Sequence, residues 1–480
     1  DFGVNGAVER FSQIKPKMFF CADGYFFKGK AIDSLQRAGK IVEKLDSVER
    51  IVVTPYVHTR PEIGSLKNSI LFEDFLSTSH AEKVPFVQLP FHHPLYILYS
   101  SGTTGLPKCI VHGAGGTLLQ HLKELMLHTD LKQGNRIFYF TTCGWMMWNW
   151  LVSSLAIGAT VMLYDGSPFY PIPDTLFDFA ASENINIFGT SAKYLSALEK
   201  SNARPNRNHD LGSLRTILTT GSPLLPESFD YVYREIKSDV QLSSISGGTD
   251  IVSCFALGNP ILPVFRGELQ CRGLGMKVAV YNEDGDSVVD VPGELVCEAP
   301  APSMPVSFWN DPGNRRYKSA YFERFPGVWA HGDYAKITEN DGLIIYGRSD
   351  AVLNPGGIRI GTAEIYRQVE KLDEVLESIA VGQEWRGDIR IVLFVQLRKG
   401  LDLSAQLIER IKAAIRENTT PHHVPAKIIQ VADIPRTISG KIVELAVRNV
   451  IHGRTVANTE ALANPEALEL YRNLPELKEG

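Results

Sequence analysis

YSSGTTGLPK, at residues 99–108, is the stretch that decides the fold and chemistry of this 480-residue chain. It follows an apolar run at residues 95–98 and places serine and threonine hydroxyls, two glycines and one lysine close together. Glycine permits turns that other residues avoid, so backbone amides and hydroxyls can converge on anionic oxygens. A phosphate group is the predicted ligand. The residues expected to bind it are Ser100, Ser101, Gly102, Thr103, Thr104, Gly105 and Lys108.

The spacing of this loop differs from that of the P-loop NTPases. Lys108 follows Leu106 and Pro107, whereas the Walker motif GxxxxGK[ST] places its lysine directly after the second glycine. A glycine-rich turn without a ligand is the simpler interpretation of any short match. The rest of the chain must therefore decide between the two.

Composition and length limit the class of protein. Hydrophobic residues make up 44% and charged residues 21%, which is typical of a globular protein, and 480 residues predict two or more domains. A net charge of −5 argues against a nucleic-acid or anionic-membrane partner, because both require a basic face. Six cysteines without a CxxC pair favour a reducing, cytosolic setting with neither a disulfide framework nor a zinc site.

One stretch, residues 137–164, has no charged residue and is long enough to raise the question of a membrane span. Glycines and polar residues interrupt it. We therefore expect a buried strand, turn, helix and strand, and no membrane insertion.

The predicted fold class is α/β, with a large N-terminal domain and a small C-terminal α+β domain. Apolar, strand-like runs alternate with helical stretches, which predicts a largely parallel sheet. These runs lie at residues 51–53, 96–99, 160–164, 185–188 and 216–219. From Gly267 onward, shorter strands separated by turn sequences predict a β-rich subdomain.

A second break falls in GRSDAVLNPGG, at residues 347–357. Beyond it, Thr362 is expected to cap a helix, residues 391–397 form an apolar run typical of a strand, and a second amphipathic helix follows. The two helices are predicted from Ile365, Val369 and Leu372 and from Leu407, Ile411 and Ile415. The expected domains are 1–349 and 350–480. Because the chain begins abruptly at Asp1, we expect the large domain to lack its N-terminal part.

Five further motifs occur in an order typical of the adenylate-forming enzymes, and the chain resembles this superfamily of acyl-CoA synthetases, peptide synthetase adenylation domains and luciferases. The motifs are TTGSPL (219–224), SGGTD (246–250), HGDY (331–334), GRSD (347–350) and TISGK (437–441). The resemblance implies an AMP-binding N-terminal domain, a mobile C-terminal domain with its hinge at Asp350, ATP and Mg²⁺ as requirements, and coenzyme A as a substrate.

The resemblance also implies which residues bind the nucleotide. Asp333 is expected to grip the ribose hydroxyls, with a second contact from Arg348, and charge-assisted bonds of this kind are about twice as strong as neutral ones. Thr249 and Asp250 are expected near the phosphates and Mg²⁺, although most relatives carry glutamate in place of Asp250. Three residues, Gly221, Ser222 and Pro223, are expected against the adenine ring.

Lys441 is the expected catalytic residue for the first half-reaction. When a carboxylate attacks the α-phosphorus of ATP, a positioned ammonium stabilises the negative charge that gathers in the transition state. Ser439 is expected to cap a following helix and to place Lys441 in its first turn. A solvated surface lysine would be the simpler interpretation of an isolated Gly-Lys pair.

The resemblance implies a second half-reaction after rotation of the small domain. Gly356 and Gly357 are expected to line the tunnel for the pantetheine arm of coenzyme A, because glycine allows close approach. Arg359 is expected to face the phosphates. A simple turn would also explain the NPGG sequence.

Within the superfamily, four segments are similar to the acetoacetate–CoA ligase family, which implies acetoacetate, ATP and coenzyme A as substrates and AMP and diphosphate as products. They are CGWMMWNW (143–150), LYDGSP (163–168), SISGGTD (244–250) and FWNDPGNRRY (308–317). Acetate-specific relatives close their pocket with tryptophan where this chain has Gly247 and Gly248, so a longer acid is expected to fit. The remaining pocket residues are predicted to be Trp145, Met146, Met147 and Thr220. A non-catalytic nucleotide-binding variant and a ligase for another short acid remain as alternatives.

Overall fold

The computed structural model describes residues 3–76, 84–100, 107–355, 358–437, 440–456 and 459–478. The strands of the N-terminal domain, in chain order, are β1 (Met18–Ala22), β2 (Gly24–Phe27), β3 (Lys30–Asp33), β4 (Arg50–Thr54), β5 (Ser69–Leu71), β6 (Pro94–Ser100), β7 (Lys108–Gly113), β8 (Arg136–Tyr139), β9 (Thr160–Met162), β10 (Ile187–Ser191), β11 (Thr216–Thr220), β12 (Gln241–Ser244), β13 (Ser246–Gly248), β14 (Ser253–Leu257), β15 (Cys271–Arg272), β16 (Val278–Tyr281), β17 (Gly293–Cys297), β18 (Ser307–Phe308), β19 (Trp329–Ile337) and β20 (Leu343–Arg348).

Ten α-helices accompany these strands in the described part of this domain. They are α1 (Val4–Ile14), α2 (Leu35–Val42), α3 (Phe72–Phe75), α4 (Ala114–Lys123), α5 (Met147–Ser153), α6 (Thr175–Ser182), α7 (Ala192–Lys200), α8 (Pro205–Asn208), α9 (Pro226–Tyr231) and α10 (Arg315–Phe322). Helix α4 continues into a π-helical turn at Glu124–His128.

A five-stranded parallel sheet in the order β12-β11-β10-β8-β9 forms the centre of the large domain. Helices cover both faces of β8, β10, β11 and β12, which are largely buried, whereas the edge strand β9 is partly exposed. Phe177 stacks on Phe188 at 4.7 Å in the core. The predicted α/β class with a largely parallel sheet is confirmed. Two strand limits differ from the prediction, since β9 ends at Met162 and β10 begins only at Ile187.

The uncharged stretch at residues 137–164 contains most of β8, then α5 and β9, so the predicted series of strand, turn, helix and strand is confirmed. Among the described residues, every helix is too short or too polar to cross a membrane.

The β-rich subdomain is an antiparallel sheet in the order β16-β17-β19-β20. The register between β19 and β20 places Asp333 opposite Arg348. A separate sheet, β18-β7-β6, pairs Ser100 with Lys108. These two sheets therefore fix the positions of Asp333, Arg348 and Lys108, which belong to three of the predicted motifs.

The C-terminal domain contains α11 (Thr362–Val369), β21 (Val375–Trp385), β22 (Asp388–Leu397), α12 (Ala405–Asn418), β23 (Lys427–Gln430) and α13 (Glu444–Ile451). Residues 391–397 lie in a strand and Leu407, Ile411 and Ile415 are buried on one helix, as predicted. The predicted cap at Thr362 is wrong, because the helix already includes Thr362 and the Glu364 carboxylate accepts the Gly361 N–H at 2.9 Å. Leu372 lies beyond the end of this helix.

Candidate active site

Ser100 and Lys108 mark the two ends of the predicted phosphate loop, at the last residue of β6 and the first of β7. The loop residues Ser101, Gly102, Thr103, Thr104 and Gly105 lie outside the described residues. The Ser100 hydroxyl oxygen is buried and has no hydrogen-bond partner among the described residues. Since a buried hydroxyl normally has a partner, this atom fits a position next to a polar ligand.

Lys108 and Asp250 are brought together although they are far apart in sequence. The Lys108 ammonium lies 3.0 Å from Asp250 Oδ1, and the Tyr321 hydroxyl donates to the same oxygen at 2.5 Å. Burial alone would raise the pKa of Asp250, but the Lys108 charge and the hydrogen bond from Tyr321 outweigh it and hold the pKa below its usual value. The carboxylate is therefore ionised.

Tyr321 is a site residue that sequence reasoning missed. Its ring stacks on Trp329 at 3.6 Å, and the Lys108 ammonium lies 5.0 Å from the centre of that ring. Burial and the neighbouring Asp250 charge raise its pKa, so it donates a proton to that carboxylate. No motif signals a tyrosine on α10, because only tertiary contact brings it to Asp250.

Asp333 and Arg348 form the second charged pair. Arg348 Nη1 donates to Asp333 Oδ1 at 3.1 Å and to the His331 carbonyl oxygen at 3.2 Å. Gly332 has a φ of +83°, and a Cβ there would lie 2.5 Å from Arg348 Nη2. Glycine is thus required for the guanidinium to pack against this turn. Burial acts to lower the pKa of Arg348, but Asp333 and other carboxylates raise it overall.

Glu294 is a second residue that the motifs did not indicate. Its side chain is buried and accepts the Gly332 N–H at 2.8 Å and the Ser349 hydroxyl at 2.6 Å. It also pairs with Arg324. One carboxylate therefore joins the Asp333 turn to the predicted hinge.

Lys441 lies in a tight turn of the C-terminal domain and not in a helix. Its N–H is donated to the Thr437 hydroxyl at 3.0 Å, and α13 begins only at Glu444. The predicted helix position is therefore wrong, and Ser439, its expected cap, lies outside the described residues. Gly440 has a φ of +83°, which lets the chain turn tightly before Lys441.

Lys441 is exposed. Desolvation by surrounding atoms lowers its pKa, against the opposing influence of the Asp333 and Asp250 charges. The charges of Asp333, Arg348 and Asp250 all influence the pKa of Lys441, so this lysine lies within electrostatic range of both charged pairs. Lys108 and Lys441 thus both interact electrostatically with Asp250.

The residues predicted for the hinge and for the pantetheine tunnel differ in how the structure describes them. Ser349–Ala351 forms a single 3₁₀ turn that contains Asp350, whose Oδ1 lies 3.8 Å from Arg348 Nε. Gly356 and Gly357 lie outside the described residues. Arg359 lies 5.1 Å over the Tyr334 ring and 3.4 Å from Glu283, so its guanidinium contacts these groups in this arrangement.

The segment predicted to contact adenine follows directly from β11. The Thr220 hydroxyl donates to the Ile245 carbonyl oxygen at 2.8 Å, and Gly221 has a φ of +95°. This turn leaves Ser222 exposed and Pro223 half-buried. The segment therefore leads away from the sheet at its carboxyl edge, where open α/β sheets bind ligands.

The predicted acyl-pocket residues lie around the start of α5. Trp145 and Met146 are half-buried and pack against a hydrophobic cluster. Met147 is only 3% exposed and belongs to that cluster. In this arrangement its side chain packs in the core, and its place in the acyl pocket remains a prediction.

Gly247 also requires a correction. A Cβ at Gly247 would lie 2.0 Å from the Ser253 carbonyl oxygen, so glycine is needed there for β13 to approach β14. A Cβ at Gly248 would meet His331 Cε1 at 3.4 Å, an ordinary contact distance. Of the two glycines, Gly248 is therefore the one at which a Cβ would fit without a clash.

A magnesium ion would have one carboxylate available here. No group of three or more His, Cys, Asp or Glu side chains with metal-site geometry occurs in the part of the chain that the structure describes. Both hydrogen bonds that described residues donate to Asp250 fall on Oδ1. A single ionised carboxylate fits Mg²⁺, which typically keeps several waters and takes its other ligands from substrate phosphates.

Two protein families match this chain. The AMP-binding enzyme family matches residues 6–304, and the AMP-binding enzyme C-terminal domain matches residues 367–441. The acetoacetyl-coenzyme A synthetase of Rhizobium meliloti is 57% identical over all of this chain and 73% of its own length. The acetoacetyl-CoA synthetase of Gallus gallus is 49% identical, again over 100% of this chain and 73% of the relative.

Solved structures show the same relationship. The acetoacetyl-CoA synthetase from Streptomyces lividans superposes with a TM-score of 0.92 and 41% identity, covering 100% of this chain and 73% of that one. An anthranilate CoA ligase solved with anthranoyl-AMP superposes with a TM-score of 0.77 at 20% identity, over 92% of this chain and 79% of that one. The second similarity concerns the fold alone.

Proposed function

We propose, on the premise that this chain belongs to the AMP-binding enzymes and among them to the acetoacetyl-CoA synthetase family, that it ligates acetoacetate to coenzyme A with ATP. The acid first attacks the α-phosphorus of ATP, which gives acetoacetyl-AMP and diphosphate. The thiol of coenzyme A then attacks the acyl carbon, which gives acetoacetyl-CoA and AMP.

The observation that carries the proposal is the convergence of the two domains on one site. Lys441 of the C-terminal domain lies within electrostatic range of Asp333 and Asp250 of the N-terminal domain. Two ammonium groups, those of Lys441 and Lys108, are thus available for a polyphosphate. Adenylate formation brings two anions together, so fixed positive charge aimed at the reacting oxygens lowers the barrier.

Asp333 and Arg348 would bind the ribose. The Arg348 guanidinium holds Asp333 Oδ1 at 3.1 Å and thereby fixes the carboxylate for two hydroxyl donors. Gly221, Ser222 and Pro223 would lie against the adenine ring. Positioning of this kind fixes the α-phosphate relative to the incoming acid.

Thr249 and Asp250 would lie at the phosphates. Asp250 is the residue that would hold Mg²⁺, directly or through water, and the cation when bound would neutralise charge on the diphosphate leaving group. Lys108 now pairs with Asp250 and would contact phosphate oxygens when the nucleotide is present.

The thiol step would use the hinge at Asp350. Rotation there would remove Lys441 and bring Gly356 and Gly357 to the pantetheine arm of coenzyme A. Arg359, which contacts Tyr334 and Glu283 in this arrangement, would move with the same segment.

The acid preference would follow from the space next to Gly248 and the half-buried Trp145, Met146 and Thr220. A four-carbon β-keto acid would use that space. The six free cysteines support a cytosolic setting for the reaction.

The decisive experiment measures exchange of labelled diphosphate into ATP with a panel of short acids: acetoacetate, acetate, butyrate and 3-hydroxybutyrate. We expect acetoacetate to give the highest exchange and to give acetoacetyl-CoA and AMP when coenzyme A is added. A higher exchange with another acid would overturn the substrate. ATP binding without exchange for any acid would support the non-catalytic alternative instead.

A further inference from the structure

The turn that carries Thr249 and Asp250 is backbone-strained. Val252, two residues after Asp250, has a φ of +47°, a conformation that β-branched residues rarely adopt. Such a residue persists only where surrounding contacts impose it, and strain of this type is often found at functional sites. Surrounding contacts must therefore hold this turn in place.

Buried polar side chains from α4 and the π-helical turn that follows it hold the Asp250 turn in place. His121 Nε2 lies 2.6 Å from the Val252 carbonyl oxygen, and the Glu124 carboxylate accepts the Cys254 N–H at 3.2 Å. Both His121 and Glu124 are 0% exposed. Burial lowers the pKa of His121, so the ring is neutral and its Nε2–H is the donor to the carbonyl.

The same two side chains contact α5, whose start carries the predicted acyl pocket. Ser153 Oγ lies 2.8 Å from His121 Nδ1, and Trp150 Nε1 donates to Glu124 Oε2 at 3.0 Å. Since His121 Nε2 is the donor to Val252, its unprotonated Nδ1 can accept from the Ser153 hydroxyl, whose oxygen also lies 3.2 Å from the Asn149 carbonyl oxygen. One imidazole and one carboxylate thus join the Asp250 turn to the helix of the acyl pocket.

We propose that His121 and Glu124 are positioning residues for the phosphate and metal contacts of Asp250, and that they tie these contacts to the position of α5. The inference rests on the proposed function, because it assigns Asp250 to the phosphates. Neither His121 nor Glu124 is expected to touch substrate. They act by fixing the strained peptide after Asp250, where a displacement of about 1 Å can cost on the order of a hundredfold in rate.

The first test compares His121→Leu with His121→Gln. The leucine variant removes the donor to Val252, whereas the glutamine amide can still donate to that carbonyl. We expect acetoacetate-dependent exchange to fall about a hundredfold in His121→Leu and to recover about tenfold of that loss in His121→Gln. Conversion of preformed acetoacetyl-AMP to acetoacetyl-CoA should fall much less in both, because it needs no contact of Asp250 with Mg²⁺ or diphosphate. Loss of both half-reactions in equal proportion would indicate a purely structural role and overturn the proposal.

A milder pair of variants covers the case that His121→Leu does not fold. Ser153→Ala removes the partner of His121 Nδ1, and Ser154→Ala is the matched control, because its hydroxyl donates to the Leu151 carbonyl oxygen of its own helix at 2.6 Å. We expect Ser153→Ala to reduce the exchange rate threefold to about tenfold, the factor of one ordinary hydrogen bond. Equal rates for Ser153→Ala, Ser154→Ala and wild type would overturn the proposal.

Nucleotide binding separates this inference from the proposed function. The shift of the thermal unfolding midpoint with increasing ATP and Mg²⁺ reports affinity without any acid. We expect His121→Leu to need about tenfold more ATP than wild type for the same shift of the unfolding midpoint. His121→Gln should need an intermediate concentration. If wild type bound ATP but used a different acid, this titration would still support or overturn the role of His121. Coincident curves for all three proteins would overturn it.

Discussion

Lys193 of the N-terminal domain forms an ion pair with Glu377 of the C-terminal domain. Arg436, five residues before Lys441, lies 2.7 Å from the same carboxylate. Glu377 is only 3% exposed. A nearly buried carboxylate thus connects α7 of the large domain to the segment that leads into the Lys441 turn, which stabilises the arrangement in which Lys441 faces Asp333 and Asp250.

Replacing Lys193 with methionine should weaken this closed arrangement. Glu377 would keep Arg436 but lose the charge from the other domain, and a buried carboxylate that loses one partner is destabilised. We expect the rate of acetoacetate-dependent exchange to fall about tenfold, equivalent to about 1.4 kcal/mol, while the thiol step from preformed adenylate is unchanged. Lys132→Met, at an exposed lysine paired with Asp130 at 3.1 Å, is the control. Equal effects of the two variants would show that the ion pair is irrelevant to closure.

Lys441→Ala should abolish most adenylate formation. Loss of one preorganised charge at the reacting oxygens typically costs on the order of a hundredfold to a thousandfold in kcat. The thiol step, started from synthetic acetoacetyl-AMP, should continue at nearly the wild-type rate. The control is Lys399→Ala, an exposed lysine in a turn of the same domain. If both half-reactions declined together, the assigned role of Lys441 would be wrong.

Asp333→Asn should raise KM for ATP about tenfold to a hundredfold, the range of one charged hydrogen bond. It should also make the enzyme less sensitive to removal of a ribose hydroxyl, which 3′-deoxy-ATP tests. Asp341→Asn serves as the control, since this exposed aspartate has a φ of +63° that asparagine tolerates. Independent, additive effects of the Asp333 and deoxyribose changes would contradict contact between them.

His112 should make stability depend on pH. Burial lowers its pKa from 6.5 to about 4, and its Nε2 lies 2.9 Å from the Thr249 carbonyl oxygen. The folded state thus favours the neutral ring, so the contribution is complete above pH 6.5 and is lost as the pH falls towards 4. Over this range the loss is about 3 kcal/mol.

The comparison of wild type with His112→Gln isolates this effect, because the other buried histidines are the same in both. Free energies of unfolding from urea titrations at pH 7 and pH 4.5 should differ more for wild type than for the variant. An identical pH dependence would show that His112 is not the titrating group.

The phosphate loop is the one motif whose own chemistry predicts a ligand, because its glycines, hydroxyls and lysine suit an anion. The roles of Asp333 and Lys441 were predicted only from the resemblance to the adenylate-forming enzymes, since an isolated aspartate after His-Gly or lysine after Ser-Gly points to no particular ligand. Tyr321 and Glu294 were not predictable in this way, since each reaches the site only through tertiary packing. The helix position of Lys441 failed for a related reason: serine favours a cap, but Val443 and not Ser439 directly precedes α13.

Glu294 gives the hinge a consequence beyond rotation. The Gly332 amide and the Ser349 hydroxyl share its carboxylate, at 2.8 Å and 2.6 Å. In the proposed mechanism, rotation at the adjacent Asp350 would disturb the Ser349 contact and leave this buried anion to the Gly332 amide and Arg324. Because the same carboxylate holds the turn before Asp333, such a rotation would also loosen the proposed ribose contact, so that domain movement and release of AMP would be coupled.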